Sequence, residues 1–191
     1  MILVGAEAGR SIRNVMGNED NNMNKKVLII GPSGSGKTHI SAELKKQGIN
    51  AIDADLVPGL SGWFDKDGKE VEYPEDAGKE FLDNHEFLWG KNFLKDYLEE
   101  QGAVYLFGLS GNVFSVIDLF DKVYFLKVEP EVLARNLRHA SRGNPMGRTD
   151  YQLEKALKYA EEIEQKAKER GIEIINATGK SPEQIFEKIK Q

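Results

Sequence analysis

Short apolar runs alternate with amphipathic stretches along the chain, and this alternation predicts the secondary structure. Five runs are short and continuous enough to be strands buried on both faces. They are KVLII (26–30), INAIDAD (49–55), AVYLFG (103–108), KVYFLKV (122–128) and IEIINA (172–177). The stretches that predict helices are 37–46, 130–139, 150–170 and 181–190. Because strands alternate with helices, the pattern indicates a three-layer α/β/α domain with a five-stranded parallel sheet.

Two regions depart from this simple alternation. The segment VPGLSGWFDKDGKEVEYPED (57–76) follows the second strand and is rich in glycine and proline. Its Asp67-Gly68 pair lies between GWF and EVEY, which predicts a small hairpin insertion. Residues 75–101 carry apolar side chains at helical spacing and predict a helix, in one or two pieces, and NVFSVIDLF (112–120) predicts another short helix.

Composition limits the possible functions. The chain of 191 residues fits one domain, and its net charge of -5 comes from interspersed acids and bases. This balance argues against a nucleic-acid-binding surface. The chain has no cysteine, which excludes disulfides and thiolate metal sites, and no apolar run approaches the roughly 20 residues of a membrane span. We therefore expect a cytoplasmic protein that binds neither nucleic acid nor membranes.

The N-terminal region predicts no element of the domain. Its apolar run covers only residues 1–4, and GNEDNNMNKK (17–26) is polar without any period. We expect the domain to comprise residues 23–191, with residues 1–22 as a disordered or non-native extension. A short packed helix is the alternative.

The stretch between the first strand and the first helix carries the strongest functional signal. GPSGSGKT (31–38) matches the pattern G-x-x-x-x-G-K-[ST] at every position. In this motif backbone N–H groups and the helix N-terminus surround phosphate, the lysine contacts the β- and γ-phosphates, and the threonine binds Mg²⁺. The predicted ATP-binding residues are Gly31, Pro32, Ser33, Gly34, Ser35, Gly36, Lys37 and Thr38. Lys37 is also the first predicted catalytic residue, and Thr38 a ligand of Mg²⁺.

The rest of the chain favours one class of phosphate-loop protein. A GTPase needs Asn-Lys-x-Asp, which is absent, and DKDG (65–68) lies in the turn-rich segment rather than at a strand end. A motor or transporter ATPase needs a longer chain and a strand that ends in an acid. The polar segment ASRGNPMGRT (140–149) lies between two late helices, where small phosphotransferases keep a mobile lid that brings arginines onto the transferring phosphate. These features favour a small-molecule kinase.

From Lys26 onward the chain resembles the small P-loop kinases of the nucleoside-monophosphate, shikimate and gluconate kinase group. IDAD (52–55) is similar to the acid pair that ends the second strand of shikimate-type kinases. The resemblance implies that Asp53 supports Mg²⁺ through water and that Asp55 faces the acceptor hydroxyl. VPGLSGWFDKDG together with NPMG is similar to an uncharacterised branch of predicted nucleotide kinases.

The resemblance also extends to the lid and to the adenine-side loop. LARNLRHASRGNPMGRT is similar to a lid and its leading helix, which implies that Arg142 and Arg148 are catalytic and that Arg138 binds the nucleotide. NATGKSPEQI (176–185) is similar to the loop that contacts adenine after the last strand.

Departures from the shikimate enzymes narrow the acceptor. GLSGN (108–112) replaces their glycine triplet, and the arginine that they carry soon after the acid pair is missing. Residues 49–90 also contain no arginine of the kind that nucleoside-monophosphate kinases use to bind the phosphate of the acceptor. An acceptor without its own phosphate is therefore expected. Trp63 and Phe64 are either an aromatic wall of its site or packing of the hairpin. Ser110 and Asn112 are a second possible acceptor site, although Asn112 is equally suited to cap a helix.

The sequence thus predicts a kinase that uses ATP and Mg²⁺ to phosphorylate a hydroxyl of a small metabolite or nucleoside-like acceptor. We expect a monomer or homodimer whose partner is this small-molecule acceptor. The alternative is a nucleotide-binding regulatory or switch ATPase without a phospho-acceptor.

Overall fold

In the computed structural model, residues 24–74, 76–139, 147 and 149–190 are described. The expected N-terminal extension (1–22) lies outside these residues. So do most of the predicted lid and its two arginines, Arg142 and Arg148. In chain order the elements are β1 (Lys26–Ile30), α1 (Lys37–Lys46), β2 (Ala51–Asp53), β3 (Ser61–Asp65), β4 (Glu70–Val71), α2 (Lys79–Asn84), β5 (His85–Trp89), α3 (Lys91–Glu99), β6 (Val104–Gly108), β7 (Lys122–Lys127), α4 (Pro130–Leu137), α5 (Asp150–Glu169), β8 (Glu173–Asn176) and α6 (Pro182–Ile189).

The main sheet has five parallel strands in the order β2-β6-β1-β7-β8, which confirms the predicted sheet. β1 lies at the centre, with Ile30 opposite Gly108 of β6 and Phe125 of β7. Asp53, the last residue of β2, pairs with Phe107. Because the strands are parallel, their carboxyl ends share one edge, which is where ligands bind in such sheets.

Two hydrophobic clusters lie on opposite faces of this sheet, as the continuous apolar runs predicted. Val27 and Ile29 belong to one cluster, with α1 residues such as Leu44. Leu28 and Ile30 belong to the other, with α3 and α5 residues. Alternate side chains of a strand point to opposite faces, so this division places helices on both sides of β1. The three-layer α/β/α architecture is confirmed.

The insertion after β2 is larger than the predicted hairpin. β3 and β4 form that hairpin, with Trp63 opposite Val71, and β5 adds a third antiparallel strand on the other side of β3. The predicted helix over 75–101 is therefore wrong at His85–Trp89, which lies between the helices α2 and α3. Helical spacing did not decide this segment, because Phe87 packs against Trp63 of β3 with ring centroids 5.7 Å apart.

The predicted helix over 112–120 is also wrong in type. Val113–Ser115 and Ile117–Leu119 form two separate 3₁₀ turns. Val113 and Val116 are fully buried in the cluster that contains α3. β-branched residues lose side-chain freedom in an α-helix, and here two of them are buried within one short segment, which favours the shorter turns.

Candidate functional site

The phosphate loop connects β1 to α1 in a conformation that requires its glycines. Gly34 and Gly36 have φ angles of 86° and 92°, in the left-handed region that glycine adopts without strain. A Cβ atom at Gly31 would lie 2.9 Å from Ser35 Oγ and 3.1 Å from the carbonyl oxygen of Leu126. The three glycines of the motif are therefore each needed by the backbone path.

The loop leaves polar groups that fit a bound phosphate. Gly36 is the N-cap of α1 and offers no side chain to the first N–H groups of that helix. The Ser35 hydroxyl is buried and has no hydrogen-bond partner among the described residues. A helix N-terminus with available N–H groups attracts anions, and a buried unpaired hydroxyl is costly unless a ligand or water pairs with it. The residues present thus fit the phosphates of a nucleotide.

Lys37 and Thr38 begin α1 beside this loop. The Lys37 amine donates hydrogen bonds to the carbonyl oxygens of Gly31 (2.7 Å) and Pro32 (3.0 Å). Its positive charge is therefore held across the loop. Thr38 is exposed in the first turn of the helix.

Helix α4 packs against the phosphate loop, a contact that the sequence did not predict. The Asn136 side-chain amide donates a 2.9 Å hydrogen bond to the carbonyl oxygen of Gly34. A Cβ at Gly34 would also lie 3.2 Å from Leu137 Cγ. An asparagine inside a helix has no sequence pattern that would predict this contact. The position of α4 directly after the fourth strand of the parallel sheet was an indirect signal that it lies near the loop.

The acid pair lies where β2 ends. β2 stops at Asp53, and residues 54–56 form a 3₁₀ turn, so the two acids do not alternate along a strand. Asp53 Oδ1 accepts a 3.0 Å hydrogen bond from the backbone N–H of Asp55 and thus caps this turn. Asp53 is only 6% exposed, whereas Asp55 is exposed. Asp53 therefore has a structural role at the sheet edge in addition to the predicted metal role.

The end of β6 is packed against the inserted sheet. The Trp89 ring covers Gly108, since a Cβ there would lie 2.5 Å from Trp89 Cζ2. The side chain of Asn112 accepts from the Trp89 N–H (3.0 Å) and donates to the Trp89 carbonyl (2.9 Å). Ser110, which is buried, donates a 2.9 Å hydrogen bond to Asn112 Oδ1. The Asn112 side chain is used in this bridge between β5 and the loop after β6 and does not cap a helix.

The aromatic residues of the insertion pack mainly on one another. Trp63 lies 5.0 Å from Tyr73 and 5.4 Å from Phe81, measured between ring centroids. Phe81 in turn stacks on His85 at 4.1 Å. Of the two readings of Trp63, packing of the inserted sheet is the one that the structure supports. Phe64 lies on the opposite face of β3 and lines a cavity of about 620 Å³ together with His85, Glu86 and Trp89.

A buried side chain joins the insertion to the last residues of the predicted lid. Gln152 is 1% exposed, and its Oε1 accepts hydrogen bonds from the N–H groups of Gly147 (3.2 Å) and Thr149 (3.3 Å). Its Nε2 donates a 2.9 Å hydrogen bond to the carbonyl of Ala77, which precedes α2. Arg138, at the other end of the segment, pairs with Asp150 on the surface.

An ion-pair cluster reinforces the contact between α2 and α5. Asp83 accepts hydrogen bonds from Lys155, from Lys79 and from the Tyr151 hydroxyl. The hydrogen bond from Lys155, followed by those from Lys79 and Tyr151, holds the pKa of the Asp83 carboxyl well below its usual range. This cluster fixes the insertion against the helix that follows the predicted lid.

The loop after β8 lies beside the start of α4. Thr178 Oγ1 accepts a 3.0 Å hydrogen bond from the Glu129 N–H, and Asn176 Oδ1 accepts one from the Thr178 N–H at 2.9 Å. A smaller cavity of about 250 Å³ lies on another side of α4, between that helix, α5 and Pro32 of the phosphate loop.

The site has few protein groups for a metal ion. Among the described residues there is no group of three or more histidine or acid side chains that could hold a metal. Mg²⁺ bound by one or two protein oxygens plus substrate phosphates and water needs no such group. Thr38 and Asp53 are the residues that would hold it here.

The chain was compared with known proteins. A family model described as "AAA domain" matches residues 27–175, from the second residue of β1 to the third of β8. No curated protein matches significantly. One matching crystal structure is shikimate kinase from Bacteroides thetaiotaomicron, with 18% identity, a TM-score of 0.47 and coverage of 80% of this chain and 86% of that chain. Within the described residues, no helix has both the length and the apolar composition needed to cross a membrane.

Proposed function

The chain belongs to the family described as "AAA domain", and we propose that it is a Mg·ATP-dependent kinase that phosphorylates a hydroxyl group of a small molecule. The recognition of a small P-loop kinase-like protein is confirmed by this membership and by the observed fold. The nucleotide-binding fold is thus shown, and the transfer to an acceptor is the proposal. We place this activity in the cytoplasm, which suits a chain without cysteine.

The observation that carries the proposal is the placement of two features at one edge of the sheet. The phosphate loop follows β1, and the Asp53–Asp55 turn follows β2. One strand, β6, separates β1 from β2. Since neighbouring strands lie about 4.8 Å apart, the carboxylates and the phosphate loop lie within reach of one small substrate.

Each residue has a distinct task in this proposal. Lys37 and the loop N–H groups bind the phosphates of ATP, and Thr38 and Asp53 hold the metal. Bound Mg²⁺ would neutralise phosphate charge. Asp55 is exposed at the edge, where it orients the acceptor hydroxyl and accepts its proton. Arg142 and Arg148 remain proposed lid residues that balance charge on the transferring group.

The charge of the inserted sheet, which follows the acid pair in the chain, supports an acceptor without phosphate. The cavity of about 620 Å³ is lined by three acids, Asp65, Asp83 and Glu86, and by one lysine, Lys66. No arginine occurs between residues 49 and 90. Phosphate recognition in proteins depends on Arg, Lys or clustered N–H groups, and this side of the molecule lacks the first and has little of the second.

A turnover assay tests the proposal. ATP consumption is measured alone and with each of adenosine, cytidine, shikimate, D-gluconate, AMP and CMP, and the phosphorylated product is identified by mass spectrometry. We expect low hydrolysis alone and a large increase with a compound that lacks phosphate. A protein that binds ATP but shows no increase with any of these compounds would favour the switch ATPase and contradict the kinase proposal.

Two lysines of α1 provide the matched variants. Lys37→Ala removes the cation that serves the phosphates, so phosphotransfer should be lost while the fold is retained. Lys46→Ala removes an exposed lysine of the same helix, whose partner is Glu43 on the surface, and should leave turnover unchanged. Near-normal turnover of Lys37→Ala would remove the basis of the proposed site.

A further inference from the structure

Leu137 lies between two glycines that belong to different parts of the chain. It is the last residue of α4 and is only 2% exposed. A Cβ at Gly34 of the phosphate loop would lie 3.2 Å from Leu137 Cγ, and a Cβ at Gly147 would lie 2.9 Å from Leu137 Cβ. Both glycines have left-handed φ angles, of 86° and 96°. The phosphate loop and Gly147 therefore pack directly against one leucine.

Gln152 continues this contact to the insertion. The Gly147 N–H donates to Gln152 Oε1 at 3.2 Å, and Gln152 Nε2 donates to the Ala77 carbonyl at 2.9 Å. Gln152 and Ala77 are 1% and 2% exposed. Because buried polar groups are costly to leave unpaired, these two hydrogen bonds hold Gly147 and Ala77 together through one side chain.

Ala77 precedes α2, and α2 is packed against the inserted sheet. The Leu82 N–H donates to the carbonyl of Gly78 at 3.1 Å in the first turn of this helix. Phe81, the residue before Leu82, packs against Trp63 of β3 with ring centroids 5.4 Å apart. The position of Ala77 therefore influences where α2 and β3 lie.

The contacts from the phosphate loop to α2 are continuous and buried. In order they join Gly34, Leu137, Gly147, Gln152 and Ala77. Closely packed groups of this kind transmit displacement to one another. If the start of α2 opened, Gln152 Nε2 would lose its acceptor at Ala77, and the contact that holds Gly147 against Leu137 would be weakened. The phosphate loop would then lose part of its support.

We propose that Leu137 and Gln152 are positioning residues that connect the phosphate loop to α2, so that a nucleotide bound at the loop restrains α2 and the inserted sheet. The ligand class is a nucleoside diphosphate or triphosphate, which the loop fits. A ligand stabilises one arrangement only by binding to it more tightly than to the alternative. Here the arrangement that supports the phosphate loop is the one in which Gln152 contacts Ala77. The inference rests on nucleotide binding at the loop and not on phosphotransfer.

Hydrogen exchange measured by nuclear magnetic resonance observes the opening of α2 directly. The ¹⁵N-labelled full chain is measured alone and with Mg·ADP at a concentration that calorimetry shows to be saturating. The reporter is the Leu82 N–H in the first turn of α2. We expect Mg·ADP to slow its exchange about 5-fold or more, since couplings between two sites usually begin near that size. If the chain binds Mg·ADP and exchange at Leu82 is not slowed, the inference is overturned.

Matched glutamine variants separate this role from a purely structural one. Gln152→Glu keeps oxygens for the N–H groups of Gly147 and Thr149 and loses the donor to Ala77. Exchange at Leu82 should become faster and should no longer respond to Mg·ADP. Gln165→Glu makes the same change at an exposed position of α5 and should keep the response. If Gln152→Glu speeds exchange equally with and without Mg·ADP, Gln152 is structural alone and the inference is overturned.

The affinity for nucleotide provides a second arm, because coupling between two sites is reciprocal. Gln152→Glu should bind Mg·ADP more weakly by about the same factor, roughly 5-fold, by which Mg·ADP slows exchange in the unchanged chain. An unchanged affinity would contradict the coupling.

Leu137 tests the other end of the connection and serves if Gln152→Glu does not fold. Leu137→Ala removes the side chain that contacts Gly34 and Gly147, so exchange at Leu82 should not respond to Mg·ADP. Leu137→Met nearly keeps the volume and should keep the response. A full response in Leu137→Ala would exclude this route between the loop and α2.

The two proposals fail in different ways. A chain in which Mg·ADP slows exchange at Leu82, but which phosphorylates no compound, would support this inference and contradict the kinase proposal. A chain that phosphorylates a compound, but in which Mg·ADP leaves Leu82 unchanged, would support the kinase and contradict the roles of Leu137 and Gln152.

Discussion

Substitution of the two acids separates the structural task of Asp53 from its proposed metal task. Asp53 Oδ1 accepts the Asp55 N–H at 3.0 Å and is buried, so Asp53→Ala removes both a cap and a charge. Asp53→Asn keeps an oxygen that can accept the same hydrogen bond and removes only the charge. Asp55→Asn changes an exposed carboxylate. These three variants therefore report on the cap, the metal and the acceptor in turn.

The contacts of Asp53 and Asp55 set the expected changes in stability. Loss of a capping side chain lowers the free energy of unfolding by about 1 kcal/mol, within a range of about 0.5–2 kcal/mol. For a domain of this size that is a fall of roughly 2–4 °C in Tm. Asp53→Asn and Asp55→Asn should stay within about 0.5 kcal/mol of the unchanged protein. Only Asp53→Ala should be measurably less stable.

The assay combines thermal unfolding with separate titrations of Mg²⁺ and ATP. Asp53→Asn should lower turnover and shift the Mg²⁺ dependence to higher concentrations. Asp55→Asn should depress transfer to the acceptor and leave the affinity for Mg·ATP unchanged, because the proposal assigns its carboxylate to the acceptor hydroxyl.

Two results would refute this reasoning. If Asp53→Asn keeps its turnover and its Mg²⁺ dependence while Asp53→Ala is destabilised, Asp53 is a cap alone. If Asp55→Asn weakens Mg·ATP binding as much as Asp53→Asn does, the proposed division between the two acids is wrong.

Three further substitutions test the framework of the site. Gln152→Ala leaves the N–H of Gly147 and the carbonyl of Ala77 without their side-chain partner, so urea unfolding should show a loss of about 2–4 kcal/mol, against under about 0.5 kcal/mol for the exposed control Gln165→Ala. Gly34→Ala, at φ 86° and 3.2 Å from Leu137, should weaken ATP binding in calorimetry and cost more stability than Gly171→Ala, which has φ 67° and open space. Burial, and then the charges of Glu86 and Glu162, raise the pKa of Tyr159 to about 12. Since a raised folded-state pKa contributes stability that is complete below about pH 10 and lost as the pH rises through about 12, urea unfolding should show Tyr159→Phe losing less stability over that window, by about 1–3 kcal/mol.

Local sequence was sufficient for the main sheet and the phosphate loop. The strands of the sheet are continuous apolar runs because both faces are covered, so each run shows its burial without reference to its neighbours. The loop is equally local: Gly34 and Gly36 need left-handed φ angles, and both lie within eight consecutive residues with Lys37 and Thr38. The resemblance to P-loop kinases followed from these residues.

The tertiary structure decided the identity of β5 and with it the position of Trp89. The apolar residues of 85–89 fit a helix as well as a strand, and their pairing with β3 chose the strand. That pairing is what brings Trp89 over Gly108, which is nineteen positions later in the chain. A contact of this kind has no local pattern, so the packing of Trp89 on Gly108 could not be predicted.

The acid pair was determined in part by the local sequence and in part by the tertiary structure. The sequence placed Asp53 and Asp55 in a second strand over 49–55, but the strand ends at Asp53 and Asp55 lies in the 3₁₀ turn that follows. Whether the strand continued to residue 55 could not be decided locally, because the answer depends on the pairing with β6, which ends at Asp53. The sequence by itself determined which residues can carry out the chemistry. The positions and directions of their side chains depend on the packing of strands that are distant along the chain.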